Sequence, residues 1–327
     1  MDKLKVGITG LGSLIGQAII KSIKKAELNN DISIVGFDYL PETIGAQWVE
    51  KEFLLPDFYK KKVEEQDWLD EIIRIINLEG IRIIFIGLDF ELKLFAKYKE
   101  SIEKNTGCKV MVSDLKVVEI ADDKYLTYKF LKENGFSYPE TFLACELSKN
   151  EVTFPCVIKP RIGSRSRDTF LINNRQELEE KIRQINDSVI QELAGSPDLE
   201  YTCGVICLDG QVKEMIALRR TLKDGNTETA FFNRDTPGII YDYIYDVTKK
   251  LKPYGACNFQ LRLDAEKIPR LFEINARHSG TTYIRAMFGF NEVEYIISYL
   301  LGIKTKKFIL KEGTIKRFYD EVFIESK

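Results

Sequence analysis

Histidine is almost absent from this 327-residue chain, and His278 is its only one. One imidazole excludes a His-rich metal site and leaves a Ser-His-Asp system a single candidate base. Long apolar runs are missing too. The most hydrophobic stretch, Ile81 to Ala96, is cut by Asp89, Glu91 and Lys93 and falls short of a membrane span. Met1-Asp2-Lys3-Leu4-Lys5-Val6 leads straight into a strand pattern, with no apolar leader region, so a cytoplasmic location is expected. Charge of one sign is also lacking. The 48 basic and 50 acidic residues leave a formal net charge of -2, which provides no field to gather nucleic acid or an anionic membrane. Local lysines, as at 60–62 and 304–307, read as solvated faces. The six cysteines (Cys108, Cys145, Cys156, Cys203, Cys207 and Cys257) are scattered through apolar contexts and read as reduced core thiols.

What is present begins with alternation. Short apolar strands are expected at Lys5 to Thr9, Ile32 to Asp38, Arg82 to Gly87 and Lys109 to Val112. Helical patterns separate them: Leu14, Ala18, Ile19 and Ile23, then Trp68, Ile72, Ile75 and Ile76, then Glu91 to Asn105. Strands alternating with helices imply a parallel, doubly wound sheet. Beyond Ser113 the pattern changes. Leu115 to Asn134 reads as one helix closed by Gly135. Strands then dominate, at Cys156 to Lys159, Thr169 to Ile172, Val189 to Leu193, Tyr201 to Leu208 and Val212 to Arg219, with one helix at Gln176 to Ile185. Cys257 to Leu263 and Arg270 to Ile274 form a hairpin, and Tyr241, Tyr243 and Tyr245 alternate as a packed strand or loop stripe.

Gly10, Gly12 and Gly16 follow the first strand and open a helix, and Asp38 closes the next strand. Such a turn suits a pyrophosphate, with the acid on the ribose, so NAD(P)-dependent reduction is one open reading. The spacing is that of short-chain reductases, but no Tyr-x-x-x-Lys pair follows on a helix. A structural βα turn accounts for the glycines more simply, and nicotinamide binding stays as the runner-up.

Four separated pieces carry a different chemistry. Asp122-Asp123-Lys124 starts a helix. Phe154-Pro155-Cys156-Val157-Ile158-Lys159-Pro160 is a buried strand that delivers a lysine, followed by the loop Gly163-Ser164-Arg165-Ser166-Arg167. Val189 to Leu193 precedes Glu200, and Asn258 to Arg262 precedes Leu271-Phe272-Glu273-Ile274-Asn275-Ala276-Arg277. A triphosphate needs fixed cations on separate elements, which two lysines supply, and a small basic loop can close over it. Magnesium requires hard oxygen ligands while leaving positions for phosphate and water. Glu273 and Asn275 alternate with apolar neighbours and share one face of their strand, where Gln260 from a neighbouring strand can join them.

In this order the pieces resemble the ATP-grasp superfamily, most of all its carbamoyl-phosphate synthetase large-subunit and amino-acid ligase branch. Phe272-Glu273-Ile274-Asn275-Ala276-Arg277 is the strongest match, and the likeness covers nearly the whole chain. The resemblance implies a fold of mixed class, α/β and α+β. A Rossmann-like pre-ATP-grasp domain would span 1–113, and two α+β subdomains, 114–190 and 191–327, would sandwich ATP. It implies Lys124, Lys159, Ser164 and Arg165 at the phosphates, Gln191, Glu192 and Leu193 at the adenine, and Glu200 at the ribose. Gln260, Glu273 and Asn275 would hold Mg2+ or Mn2+, and Arg277 would stand at the acyl phosphate. Arg219 or Arg220 would reach the γ-phosphate or the substrate carboxylate; of these Arg220, with Lys159 and Arg277, completes the expected catalytic set. The partners implied are a small carboxylate and a small amine joined at the expense of ATP, with a homodimer allowed. Two departures stand out: only Gly163 lies in a loop where relatives carry several glycines, and Gln260 stands where many carry an acid. Either leaves room for a protein that binds ATP without consuming it. His278 reads as a satisfied loop residue more readily than as a base.

Overall fold

The computed structural model describes residues 3–57, 63–149, 151–163 and 168–324. The first sheet is built from β1 (Leu4–Thr9), β2 (Ile32–Asp38), β3 (Lys51–Leu54), β4 (Ile83–Phe85) and β5 (Lys109–Met111), in the order β3-β2-β1-β4-β5 and parallel throughout. Its strands are apolar on both faces because both are covered. On one face α2 (Glu65–Glu79) and α3 (Leu92–Thr106) bury Trp68, Ile72, Ile76, Phe95 and Ile102. On the other face α1 (Leu14–Lys25) buries Ile15, Ile19, Ile20 and Ile23 in a core shared with the C-terminal part of the chain. The sequence reading misses β3, whose four residues lie at a sheet edge and alternate little in burial. The strand expected over Arg82 to Gly87 is shorter, because Gly87 has left the ladder and donates its N–H to Thr9 Oγ1 (2.9 Å).

The helix expected over 115–134 is two helices. α4 (Leu115–Asp122) ends where Asp123 caps α5 (Lys124–Glu133), accepting from Tyr125 N (2.9 Å) and Leu126 N (3.2 Å). A small antiparallel sheet follows, of β6 (Thr141–Leu143), β7 (Cys156–Pro160), β8 (Phe170–Ile172) and β9 (Ser188–Glu192), in the order β6-β9-β7-β8 with α6 (Arg175–Gln184) packed against it. Position 190/191 lies inside β9, so this sheet extends to Glu192.

The third sheet is antiparallel and six-stranded. It comprises β10 (Glu200–Leu208), β11 (Gln211–Lys223), β12 (Asn226–Phe232), β13 (Gly255–Leu263), β14 (Pro269–Asn275) and β15 (Gly313–Lys316), ordered β14-β13-β10-β11-β12-β15. Between β12 and β13 runs α7 (Gly238–Leu251), which corrects the stripe read for Tyr241 to Tyr245. The tyrosines lie on a helix whose core side is Ile240, Ile244, Val247 and Leu251, a 3.6-residue pattern that the intervening tyrosines obscure. After β14 come α8 (Thr282–Met287) and α9 (Glu292–Leu300), which contact α1 across the shared core.

One buried polar knot fixes how the large sheet meets α8 and α9. Arg285 is fully buried and forks onto Glu292, also fully buried, through Nε (2.9 Å) and Nη2 (2.7 Å). Its Nη1 donates to Asn258 Oδ1 (3.0 Å) and to Thr281 Oγ1 (2.8 Å). The guanidinium lies directly over Gly204 of β10, where a Cβ would stand 2.4 Å from Nε, so only glycine fits there. Burial opposes the charge on Glu292, yet the Arg285 guanidinium and His278 hold its carboxyl below the usual carboxylate range. Replacing Arg285 with Met strands a buried carboxylate. Denaturant unfolding should then show a loss of about 3–5 kcal/mol, concentrated at neutral pH and shrinking as acid protonates Glu292; a loss independent of pH would contradict this account.

Candidate active site

The parallel sheet, the small sheet and the large sheet all contribute to one cleft of about 450 Å³. Its floor follows from the β13–β14 register. Gln260 pairs with Glu273 and Asn258 with Asn275, and alternation turns Gln260, Glu273 and Asn275 into the cleft while Phe259 and Ile274 go to the core. Gln260 Nε2 (3.1 Å) and Asn275 Nδ2 (2.8 Å) both donate to Glu273 Oε1. The three residues expected to hold a metal are therefore mutual neighbours. Among the described residues Glu273 makes no ion pair, and its carboxylate with two flanking amides is a hard donor set of low charge. That set fits one Mg2+ whose remaining positions go to phosphate and water. No group of three or more His, Cys, Asp or Glu side chains among the described residues forms an alternative centre.

Opposite stand the two lysines. Lys159 is carried inward by β7, is almost fully buried, and donates to Gln191 Oε1 (2.8 Å) on the adjacent strand; Gln191 in turn donates to Thr141 Oγ1 (2.9 Å). The Gln191 side chain thus aims Lys159, while Glu192, Leu193 and Ala194 line the cleft beyond it. Burial, and then the neighbouring Lys124, push the Lys159 ammonium down to about 7 against a weaker pull from Glu273. Lys124 opens α5 and donates to Gly163 O (2.9 Å), and burial lowers its pKa as well. Lys124 both starts the helix and lines the cleft, since Asp123 caps α5 and also accepts from Arg161 Nε (2.8 Å). Ser164 and Arg165 lie outside the described residues.

The arginines divide. Alternation on β11 sends Arg220 into the cleft and Arg219 to the other face, where it stacks 4.3 Å from the Phe231 ring centroid. That leaves Arg220 alone of the two expected candidates. It donates to Glu200 Oε1 (Nε, 3.0 Å) and to Gln260 Oε1 (Nη2, 2.7 Å), and Arg262 takes the other oxygen of Glu200 through Nε (2.9 Å) and Nη2 (2.8 Å). Glu200 lines the cleft as expected for a ribose-binding acid, but here it is the counter-ion of two arginines. Arg277 donates to Asn275 Oδ1 (2.9 Å) and to Asp89 Oδ1 (2.5 Å). His278 is buried against the Phe85 ring, its Nε2 4.0 Å from Glu292 Oε1 and without a hydrogen bond; burial drives it down to about 4, so it is neutral and a weak base.

Sequence reasoning assigns no role to three charged residues of the cleft: Asp89, Arg262 and Arg317. Asp89 carried a signal, because ligands of parallel sheets gather beyond the carboxyl ends of the strands and it stands just past β4. Its turn is pinned by Glu91, which accepts from Thr9 Oγ1 (2.5 Å) and Tyr39 OH (2.7 Å); burial raises the Glu91 carboxyl to about 7. Arg317 lies far along the chain from every motif.

The glycine turn serves packing. A Cβ at Gly16 would stand 2.2 Å from Gly10 O, and Asp38 is consumed by the N–H groups of Gly12 (2.8 Å), Tyr39 (2.7 Å) and Leu40 (3.2 Å). Both carboxylate oxygens of Asp38 thus serve the backbone of the turn, while Ser13, Leu14 and Ile15 line the same cleft as the lysines.

Comparison with known proteins agrees with this geometry. Residues 189–317 match the family model described as ATP-grasp in the biosynthetic pathway with Ter operon. The chain is 27% identical over 205 residues to the uncharacterized protein MG011 of Mycoplasma genitalium, covering 61% of this chain and 66% of that one. It is 23% identical over 252 residues to a carbamoyl-phosphate synthase of Methanobrevibacter smithii, covering 72% and 66%. The matches thus span just under two thirds of either relative. Among solved structures, the L-amino acid ligase from Bacillus licheniformis superposes with a TM-score of 0.71 at 17% identity, covering 92% of this chain and 75% of that one. With its parallel first sheet and two antiparallel sheets enclosing one lysine-flanked cleft, the chain has a fold like that of the amino acid ligase, and its residues 189–317 match an ATP-grasp family model.

Proposed function

We propose that this chain is an ATP-dependent carboxylate–amine ligase that works through an acyl phosphate and acts on small, amino-acid-like substrates. The observation that carries the reading is the meeting, in one cleft, of two lysines and one carboxylate, Glu273, none of which makes an ion pair among the described residues. Unpaired buried charge is costly, and Mg-ATP answers both signs at once. Lys124 and Lys159 bind phosphate oxygens. Glu192 to Ala194 border the adenine. Gln260, Glu273 and Asn275 would hold Mg2+, which would supply positive charge beside the transferring phosphoryl group. Glu200, with its two arginines, keeps Arg220 and Arg262 extended along the cleft wall.

The chemistry then follows from placement. A carboxylate oxygen of the first substrate attacks the γ-phosphorus in line, forming a C–O–P linkage while the bond to ADP breaks. Arg277, held between Asn275 and Asp89, neutralises charge on the reacting group. The amine adds to the acyl carbon, loses a proton, and inorganic phosphate leaves. No side-chain nucleophile is required, and the buried thiols, all pushed well above the usual cysteine range by burial, offer none.

Two tests follow. In an assay of ADP release with paired carboxylates and amines, Lys159→Met and Glu273→Gln should each cut kcat/KM at least about a hundredfold, with far-UV circular dichroism unchanged. Tight Mg-ADP binding without ADP release from any pair would identify a nucleotide-binding protein instead. Second, Lys159 is largely uncharged above about pH 7 before phosphates reach it and charged afterwards, so binding takes up a proton. The Kd for Mg-ADP should therefore be flat below that point and rise by up to about tenfold per pH unit above it. In Lys159→Met this slope should vanish, and an unaltered slope would refute the assignment.

A further inference from the structure

The cations of the cleft follow a rule that one residue breaks. Arg220 and Arg262 share Glu200, and Arg277 pairs with Asp89. The other cationic side chains lining the cleft, Lys124, Lys159 and Arg317, make no ion pair among the described residues. Two of these face the nucleotide phosphates. Arg317 does not belong with them. It stands one residue beyond β15, on the sheet edge opposite the one that carries Glu273, with its backbone N–H on Glu228 O (2.8 Å). Its side chain crosses to the loop after β14, where Nη2 donates to Gly280 O (2.7 Å), and Leu14 at the start of α1 borders the same loop. A guanidinium offers five N–H donors in a rigid fork matched to carboxylate or phosphate, and one carbonyl uses little of it. Burial draws its pKa below the usual guanidinium range, with only Tyr319 opposing. That is the condition of a cation whose counter-charge arrives with a ligand.

We infer that Arg317 binds a spectator anionic group, a carboxylate or a phosphate, on the amine substrate. This rests on the ligase reading above and narrows it: the acceptor is an amine that also bears an anion left untouched by the reaction. Asp89 lines the same cleft and is held by Arg277, three residues before the Gly280 that Arg317 bonds, so the acceptor's ammonium and its anion would have Asp89 and Arg317 as respective partners. The geometry points away from the triphosphate, because the phosphate-facing lysines stand on α5 and β7, whereas Arg317 comes from beside β15 and faces the Gly280 loop and α1.

The test uses the full chain, Mg-ATP, a carboxylate donor that supports turnover, and amines in matched pairs: glycine against glycinamide, and O-phosphoethanolamine against ethanolamine. One charged member should be favoured by at least about tenfold in kcat/KM, and the favoured pair tells carboxylate from phosphate. Arg317→Met should erase the preference by raising KM with kcat little altered, Arg317→Lys should recover part of it, and both should bind Mg-ADP as the parent does, which controls for folding. Ligation that ignores the spectator charge would overturn the inference and leave the ligase reading standing. A tenfold or greater loss of Mg-ADP affinity in Arg317→Met would overturn it as well, by making Arg317 a nucleotide contact. Absence of ADP release with every pair refutes the ligase reading and this inference together.

Discussion

The cleft exists because charge can be buried only beside its opposite. Removing an ion from water costs several kcal/mol unless a partner and further hydrogen bonds compensate. This protein meets that requirement internally in some places and leaves it open in others. Glu200 is locked by Arg220 and Arg262, so the wall opposite the lysines is rigid and already compensated. Glu273 accepts from two amide groups, makes no ion pair among the described residues and stays receptive to a cation. The same distinction separates Arg277, which is paired with Asp89, from Lys124 and Lys159.

That pattern depends on packing several residues away. The β13–β14 register decides that Gln260, Glu273 and Asn275 share a face. The strand end is held by the buried Arg285, which ties Asn258 on β13 to Thr281 in the following loop and to Glu292 on α9. Since α1 packs between the first sheet and α8 and α9, the turn at Ser13 and Leu14 is seated against the same loop. The ion pair between Asp89 and Arg277 then crosses from the first sheet to the end of β14. The parallel sheet is in this way part of the cleft and not an appendage to it.

Much of this was legible in the sequence, for identifiable reasons. Strands β1, β2, β4 and β5 of the first sheet read clearly because their runs are largely apolar and buried. Glu273 and Asn275 were found because acids and amides between apolar strand neighbours need a purpose. What was hidden depends on contacts between distant segments. Nothing local tells Arg220 from Arg219, or reveals that Glu200 already has two partners. Tyr241, Tyr243 and Tyr245 masked the helical spacing of Ile240, Ile244 and Val247. Arg317 had no motif to announce it, because its role arises only where the end of β15 meets the Gly280 loop.

The division of cores bears on how the cleft would open. The small sheet has a hydrophobic core of its own, centred on Cys156, Ile158, Ile172, Leu178 and Ile190, and shares none of it with the large sheet. Its ties to the leading helices are polar: Asp123 to Arg161, Lys124 to the carbonyl of Gly163, and a single bridge between Asp123 and Ile162. A motion that swings β7 and β9 as a unit exchanges hydrogen bonds near Asp123 while leaving buried apolar contacts intact, which is the low-energy kind of domain movement. Lys159 travels with that unit and carries its orienting partner Gln191 with it, since both stand on the small sheet. On the ligase reading, Lys159 would meet the phosphates already aimed by Gln191, and their charge would stabilise an ammonium that burial disfavours.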